Sequence, residues 1–144
     1  NKDLIIVHRE NEDIYTHLMK TLNSPSLYDE VLMYLSRENF KIPEKSIKRD
    51  WSEPYQPQSE VESVWQEIYQ KSERYWDIYM LAERLTGLEY YFQEWRFKHM
   101  KTVSRVIGNK QGTGGSAGVN YLTKALDLSF FPELWAMRTS MKNS

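Results

Sequence analysis

One histidine stands in the apolar stripe of a helix-forming segment, and a glycine-rich run follows it. Over residues 88–107, steps of three and four pick out Leu88, Phe92, Trp95, His99, Val103 and Val106. That spacing places all six on one face of an α-helix, with Arg96, Lys98, Lys101 and Arg105 projecting mostly elsewhere. An imidazole in an apolar wall has two ring nitrogens to satisfy, and a metal ion is one way to satisfy one of them. A backbone carbonyl or a water is another. The run Gly112-Thr113-Gly114-Gly115-Ser116-Ala117-Gly118 could be a turn that lets the next helix begin, with Ser116 as its cap. Residue types alone leave these readings open.

The elements that must carry this histidine read as helices throughout. The spacing of Ile14, Leu18 and Leu22 predicts a helix over 11–22. After the break Asn23-Ser24-Pro25-Ser26, with Pro25 placed to start the next helix, a helix is expected over 26–39 with Leu27, Val31, Tyr34 and Leu35 inward. Residues 40–58 are expected to be irregular, because Pro43, Pro54 and Pro57 lack donors and restrict their predecessors; Trp51 should pin that segment. From Ser59, residues from Val61 to Leu85 keep helical spacing in one long element that Gly87 kinks or ends. The His99 helix follows. A further helix is expected over 116–128, closed by Phe130-Phe131-Pro132. No segment alternates in the manner of a strand. The expected fold is all-α, a bundle of long helices, occupying 1–144 as a single domain or part of one.

Composition narrows the function classes. The chain has 144 residues, 19 Lys plus Arg, 20 Asp plus Glu and a net charge of -1, so no excess of positive charge points to nucleic acid. There is no cysteine, which removes disulfides, thiolate catalysis and iron–sulfur ligation and is compatible with a cytoplasmic location. No apolar run approaches the roughly 20 residues that span a bilayer. The 5 Trp and 10 Tyr suit either a cavity around a flat cofactor or a helix–helix interface.

Glu94-Trp95-Arg96-Phe97-Lys98-His99-Met100, Val106-Ile107-Gly108 and Gly112-Thr113-Gly114-Gly115-Ser116 together closely resemble the C-terminal half of the tryptophan 2,3-dioxygenase family. The likeness reaches back through Glu73-Arg74-Tyr75-Trp76 and Pro25-Ser26-Leu27-Tyr28-Asp29-Glu30, and on to Phe130-Phe131-Pro132-Glu133-Leu134. It covers nearly the whole chain. The resemblance implies a haem pocket in the helical bundle, with His99 the axial ligand of a b-type haem (iron protoporphyrin IX). It implies insertion of both atoms of O2 across the indole C2–C3 bond of L-tryptophan, giving N-formylkynurenine, the first step of the kynurenine pathway.

By the same resemblance Thr113 contacts the amino-acid end of the substrate, and Gly112, Gly114, Gly115 and Ser116 complete that loop. The chemistry fits, since glycines let backbone amides approach a carboxylate and a hydroxyl both donates and accepts. Ala117 departs from the Ser that many members carry. The family's distal histidine and its carboxylate-binding arginine lie in the N-terminal half, and no residue here matches either. His8 and His17 match neither motif. The catalytic distal residues are therefore expected on an N-terminal half of the same protein, with other subunits of a homotetramer as further partners and no membrane partner.

Other charges read as ordinary ones: Arg96, Lys98, Arg105 and Arg138 as surface or interface cations, and Asp29, Glu30, Glu60 and Glu62 as solvated acids. Two other readings stand beside the first. One is a related haem enzyme acting on a substituted tryptophan in a biosynthetic pathway. The other is a non-catalytic helical oligomerisation domain in which His99 is a core residue.

Overall fold

A computed structural model describes residues 12–107 and 129–142, and every regular element among them is helical. The elements are α1 (Glu12–Leu22), α2 (Leu27–Arg37), α3 (Glu44–Ile47), α4 (Ser59–Gln70), α5 (Trp76–Ile107) and α6 (Pro132–Lys142). The fold is all-α, as expected. The chain divides into two compact units, Asn1–Trp65 and Gln66–Ser144. The expected helix over 116–128 lies outside the described residues. Among the described residues no helix is long and apolar enough to cross a membrane.

In the first unit, local chemistry sets both ends of α2. Ser26 adopts extended backbone and accepts from the Asp29 N–H, while the Asp29 carboxylate accepts from the Ser26 N–H at 2.8 Å. This reciprocal pair satisfies two of the donors that a helix start leaves unmet. At the other end Asn39 takes the left-handed conformation (φ 69°). Phe40 N–H then reaches the Leu35 carbonyl, and Asn39 N–H that of Ser36, the double closure that ends helices when a residue tolerates positive φ. Between these ends Tyr28, Val31, Leu32 and Leu35 are buried. The fully buried Trp65 donates its indole N–H to the Tyr28 hydroxyl at 3.1 Å.

The proline-rich stretch contains one short helix, α3, which packs against α2. Its anchor is Arg49. The guanidinium meets the Asp29 carboxylate at 2.6 Å, donates to the Glu53 carbonyl at 2.8 Å, and lies 5.1 Å from the Trp51 ring centroid and 5.5 Å from that of Tyr55. Asp29 is therefore no solvated acid. It caps α2 and holds a cation with only 2% of its side chain exposed. Glu30 and Glu60 are exposed, as expected.

In the second unit, the single helix expected from Ser59 is divided. Residues 71–75 form a turn in which Arg74 N–H bonds the Lys71 carbonyl. The physical reason is in the spacing: no apolar side chain stands between Tyr69 and Tyr75, so nothing buried holds that turn helical. By contrast α5 runs straight through Gly87, where an added Cβ would meet nothing within 4 Å. One glycine costs a helix only about 1 kcal/mol relative to alanine, too little to stop a long element. Pro132, expected as a stop, is the first residue of α6, the position where a missing N–H costs nothing. Ala82, Leu85, Thr86 and Glu89 of α5 are buried, as are Phe131, Leu134 and Met137 around α6, and the two helices pack together.

Candidate functional site

Burial along α5 ends at Glu89. Beyond it the expected stripe does lie along one face, but that face is open within this chain. Leu88, Phe92, Trp95 and Val106 are 43%, 46%, 62% and 76% exposed, and His99 is exposed as well. The inward wall expected from the spacing is corrected here. Periodicity decides which side chains share a face, and another surface must decide whether that face is covered.

The exposed face is nevertheless ordered. The imidazole of His99 lies parallel to the indole of Trp95, one turn earlier, with centroids 5.1 Å apart and planes within 4°. Among the described residues neither ring nitrogen of His99 has a hydrogen-bond partner. Trp95, Phe92, Tyr91 and Leu88 line an open apolar depression of about 410 Å³. Phe92 meets the edge of Phe130 at 5.8 Å, and the Arg96 guanidinium stands 4.6 Å from the Phe130 centroid. Arg96, read from the sequence as a surface or interface cation, lies against an aromatic surface.

Phe130 is held by a carboxylate that the sequence reading did not single out. The fully buried Glu89 accepts from Ser129 Oγ at 3.0 Å, from the Phe130 backbone N–H, and from the Trp135 indole N–H. A signal was present, since Glu89 continues the spacing of the buried Ala82, Leu85 and Thr86. A second network joins α4, α5 and α6. Arg138 pairs with Glu83 and donates to the Tyr69 hydroxyl and Thr86 Oγ1, each at 3.2 Å, while Tyr69 donates to Glu83 at 2.7 Å. Burial, and then the Glu83 bond, push the Tyr69 phenol above its ordinary range, with Arg138 pulling the other way. Arg138, read from the sequence as a surface or interface cation, is a half-buried network member. With Tyr69, Trp135, Met137 and Met141 it lines a cavity of about 460 Å³.

The structure therefore gathers His99, Trp95, Phe92 and Leu88 on one face. Thr113, Gly112, Gly114, Gly115 and Ser116 lie outside the described residues, as does His8; His17 is exposed on α1.

Comparison with known proteins bears on what such a face is for. A family model described as tryptophan 2,3-dioxygenase matches residues 66–141. The protein of that name from Shewanella woodyi is 48% identical over 141 residues, 98% of this chain and 49% of the relative. The namesake from Myxococcus xanthus is 49% identical over 143 residues, again 98% and 49%. That from Serratia proteamaculans is 48% identical, covering 98% of this chain and 50% of the relative. The chain spans about half the length of the curated relatives it matches.

Proposed function

The chain belongs to the tryptophan 2,3-dioxygenase family, and from that premise we propose that it supplies the His99 side of a haem pocket in a dioxygenase acting on L-tryptophan. The observation that carries this reading is the α5 face itself. It bears an accessible imidazole flanked by aromatic side chains, beside an apolar depression. A lone imidazole is a poor site for a bare metal ion, but it suits an iron that brings four porphyrin nitrogens with it. Phe92, Trp95 and Leu88 would give that group the apolar surface a porphyrin face requires. Held on a helix, His99 could not swing away from the iron, and its second ring nitrogen would be free to donate to a carbonyl or water that fixes the tautomer.

When bound, b-type haem (iron protoporphyrin IX) held by His99 would supply the activation of O2, and the reaction so served would insert both oxygen atoms across the indole C2–C3 bond of L-tryptophan to give N-formylkynurenine, opening the kynurenine pathway. The role of this chain in that reaction is to bind and to exclude water. Thr113, between Gly112 and Gly114, would hold the charged amino-acid end of the substrate. Gly115 and Ser116 would complete the loop, keeping water from the reacting atoms. The distal groups would come from the N-terminal half of the same protein, and the open α5 face is consistent with further polypeptide, including other subunits of a homotetramer, closing over it. The location proposed is cytoplasmic.

The test is His99→Ala in the full-length protein. Loss of the haem absorption band and of its shift with carbon monoxide, or their return with added imidazole, is the expected result. A variant that keeps the wild-type ferrous spectrum would exclude His99 as the ligand. Full-length protein that binds no haem at all would favour a non-catalytic helical role.

A further inference from the structure

The parallel stack of Trp95 on His99 has a consequence for the ligand's orientation. The imidazole turns about its χ2 torsion, which is soft and only broadly two-fold. The ring contact of His99 among the described residues is the Trp95 indole, with centroids 5.1 Å apart and planes within 4° of parallel. Residues four apart on a helix are natural neighbours, and offset stacking is a favoured arrangement for aromatic rings. The same indole lines the apolar depression with Leu88, Tyr91 and Phe92. It gives one surface to the imidazole and another to the space beside it.

We propose that Trp95 is a positioning residue for His99, setting the plane of the imidazole and thus its rotational angle about an iron–nitrogen bond. The proposal rests on the haem reading of His99. In any axial imidazole that angle governs two things: overlap of the ring π orbitals with the iron d orbitals, and steric contact of the ring edges with the porphyrin nitrogens. An indole held parallel to the imidazole restricts the angle without touching the iron. Removing it leaves the ligand present with its ring plane less restrained.

The experiment uses full-length protein carrying Trp95→Leu, Trp95→Phe or His99→Ala. In the haem-free protein, NMR of the His99 ring protons reads the stack directly, because the indole ring current moves them upfield. Trp95→Leu should return them to ordinary positions, and Trp95→Phe should leave an intermediate shift. In the haem-loaded protein, Trp95→Leu should keep haem at wild-type stoichiometry but release it roughly two- to ten-fold faster, the range expected for losing one aromatic pair. Its iron–imidazole stretching band should broaden, and Trp95→Phe should recover most of the wild-type band. A purely structural role for Trp95 would lower the unfolding midpoint and leave that band alone. Unchanged His99 proton shifts, or an unchanged band, in Trp95→Leu would overturn the proposal; should Trp95→Leu not fold, the same two readings on Trp95→Phe decide it. If His99→Ala keeps the wild-type spectrum, the haem reading fails, while the proton shifts still report on the stack itself.

Discussion

Glu89 on α5 receives the indole N–H of Trp135 on α6, and the same carboxylate takes the Phe130 N–H and the Ser129 hydroxyl. The pair is a polar pin in the α5–α6 contact, set beside the links of Arg138 to Glu83 and Thr86. It also determines where Phe130 meets Phe92 beside the His99 face. Glu89→Gln offers one acceptor oxygen in place of two and turns an amide donor toward other donors. It should cost about 1–3 kcal/mol, the penalty for a buried group left unmet. Glu89→Leu, leaving all three donors without an acceptor, should cost more. Urea denaturation of the full-length protein measures both, and a Gln variant as stable as wild type would show the pin to be idle.

Asp29 and Arg49 should behave as a coupled pair. Arg49→Met strands an almost fully buried carboxylate, and breaking a buried pair on one side typically costs about 3–5 kcal/mol. Asp29→Ala removes one half of the α2 capping box and the anchor for residues 49–55. The double variant should lose clearly less than the sum of the single losses, because the second change removes a partner already lost. Simple additivity in a double-mutant cycle would mean that the two side chains do not interact.

The Tyr69 phenol should resist ionisation. Burial and the bond to Glu83 raise its folded-state value above the unfolded one. Its contribution to stability is therefore complete below the ordinary phenol range near pH ~10 and is lost as pH climbs through the raised folded value. Ultraviolet titration should show a late-ionising component that Tyr69→Phe removes. Arg138→Met, which deletes the opposing influence, should delay that component further. A single ionisation step identical in wild type and Tyr69→Phe would contradict this.

Thr113→Ala in the full-length enzyme should leave haem content and the substrate-free spectrum nearly intact while raising KM. Loss of one hydrogen bond to a charged group costs about 1.5–3 kcal/mol, or roughly ten- to a hundred-fold in kcat/KM. Thr113→Val keeps the shape and should lose as much. If Thr113→Ala sheds haem yet binds tryptophan normally, the loop has a structural role.

Residues 1–144 alone should not turn over tryptophan, because one wall of a pocket, without the carboxylate-binding arginine and distal groups expected on the N-terminal half, cannot enclose the substrate or complete the exclusion of water. Supplying the remaining polypeptide, joined or as a separate chain, should restore N-formylkynurenine, followed by its near-ultraviolet absorbance. Full turnover by residues 1–144 would place a distal group within them.

What the amino-acid sequence determined by itself is local and periodic. Helical spacing put His99, Trp95 and Phe92 on one face, and Ser26 and Asp29 stand where a capping box must start α2. The joined Trp-Arg-Phe-Lys-His and Gly-Thr-Gly-Gly-Ser runs carried the family, because both depend on residue order alone. Tertiary structure decided the rest. It turned Asp29 from an apparent solvated acid into a network member, gave Arg138 its partners, placed Glu89 beneath Phe130, and left the His99 stripe exposed where a wall was expected. The reason is physical: spacing along a helix sets the angle at which a side chain leaves the axis. Its burial, its partner and the cover over its face depend on which other surface arrives there, from residues far away in the chain or on another polypeptide.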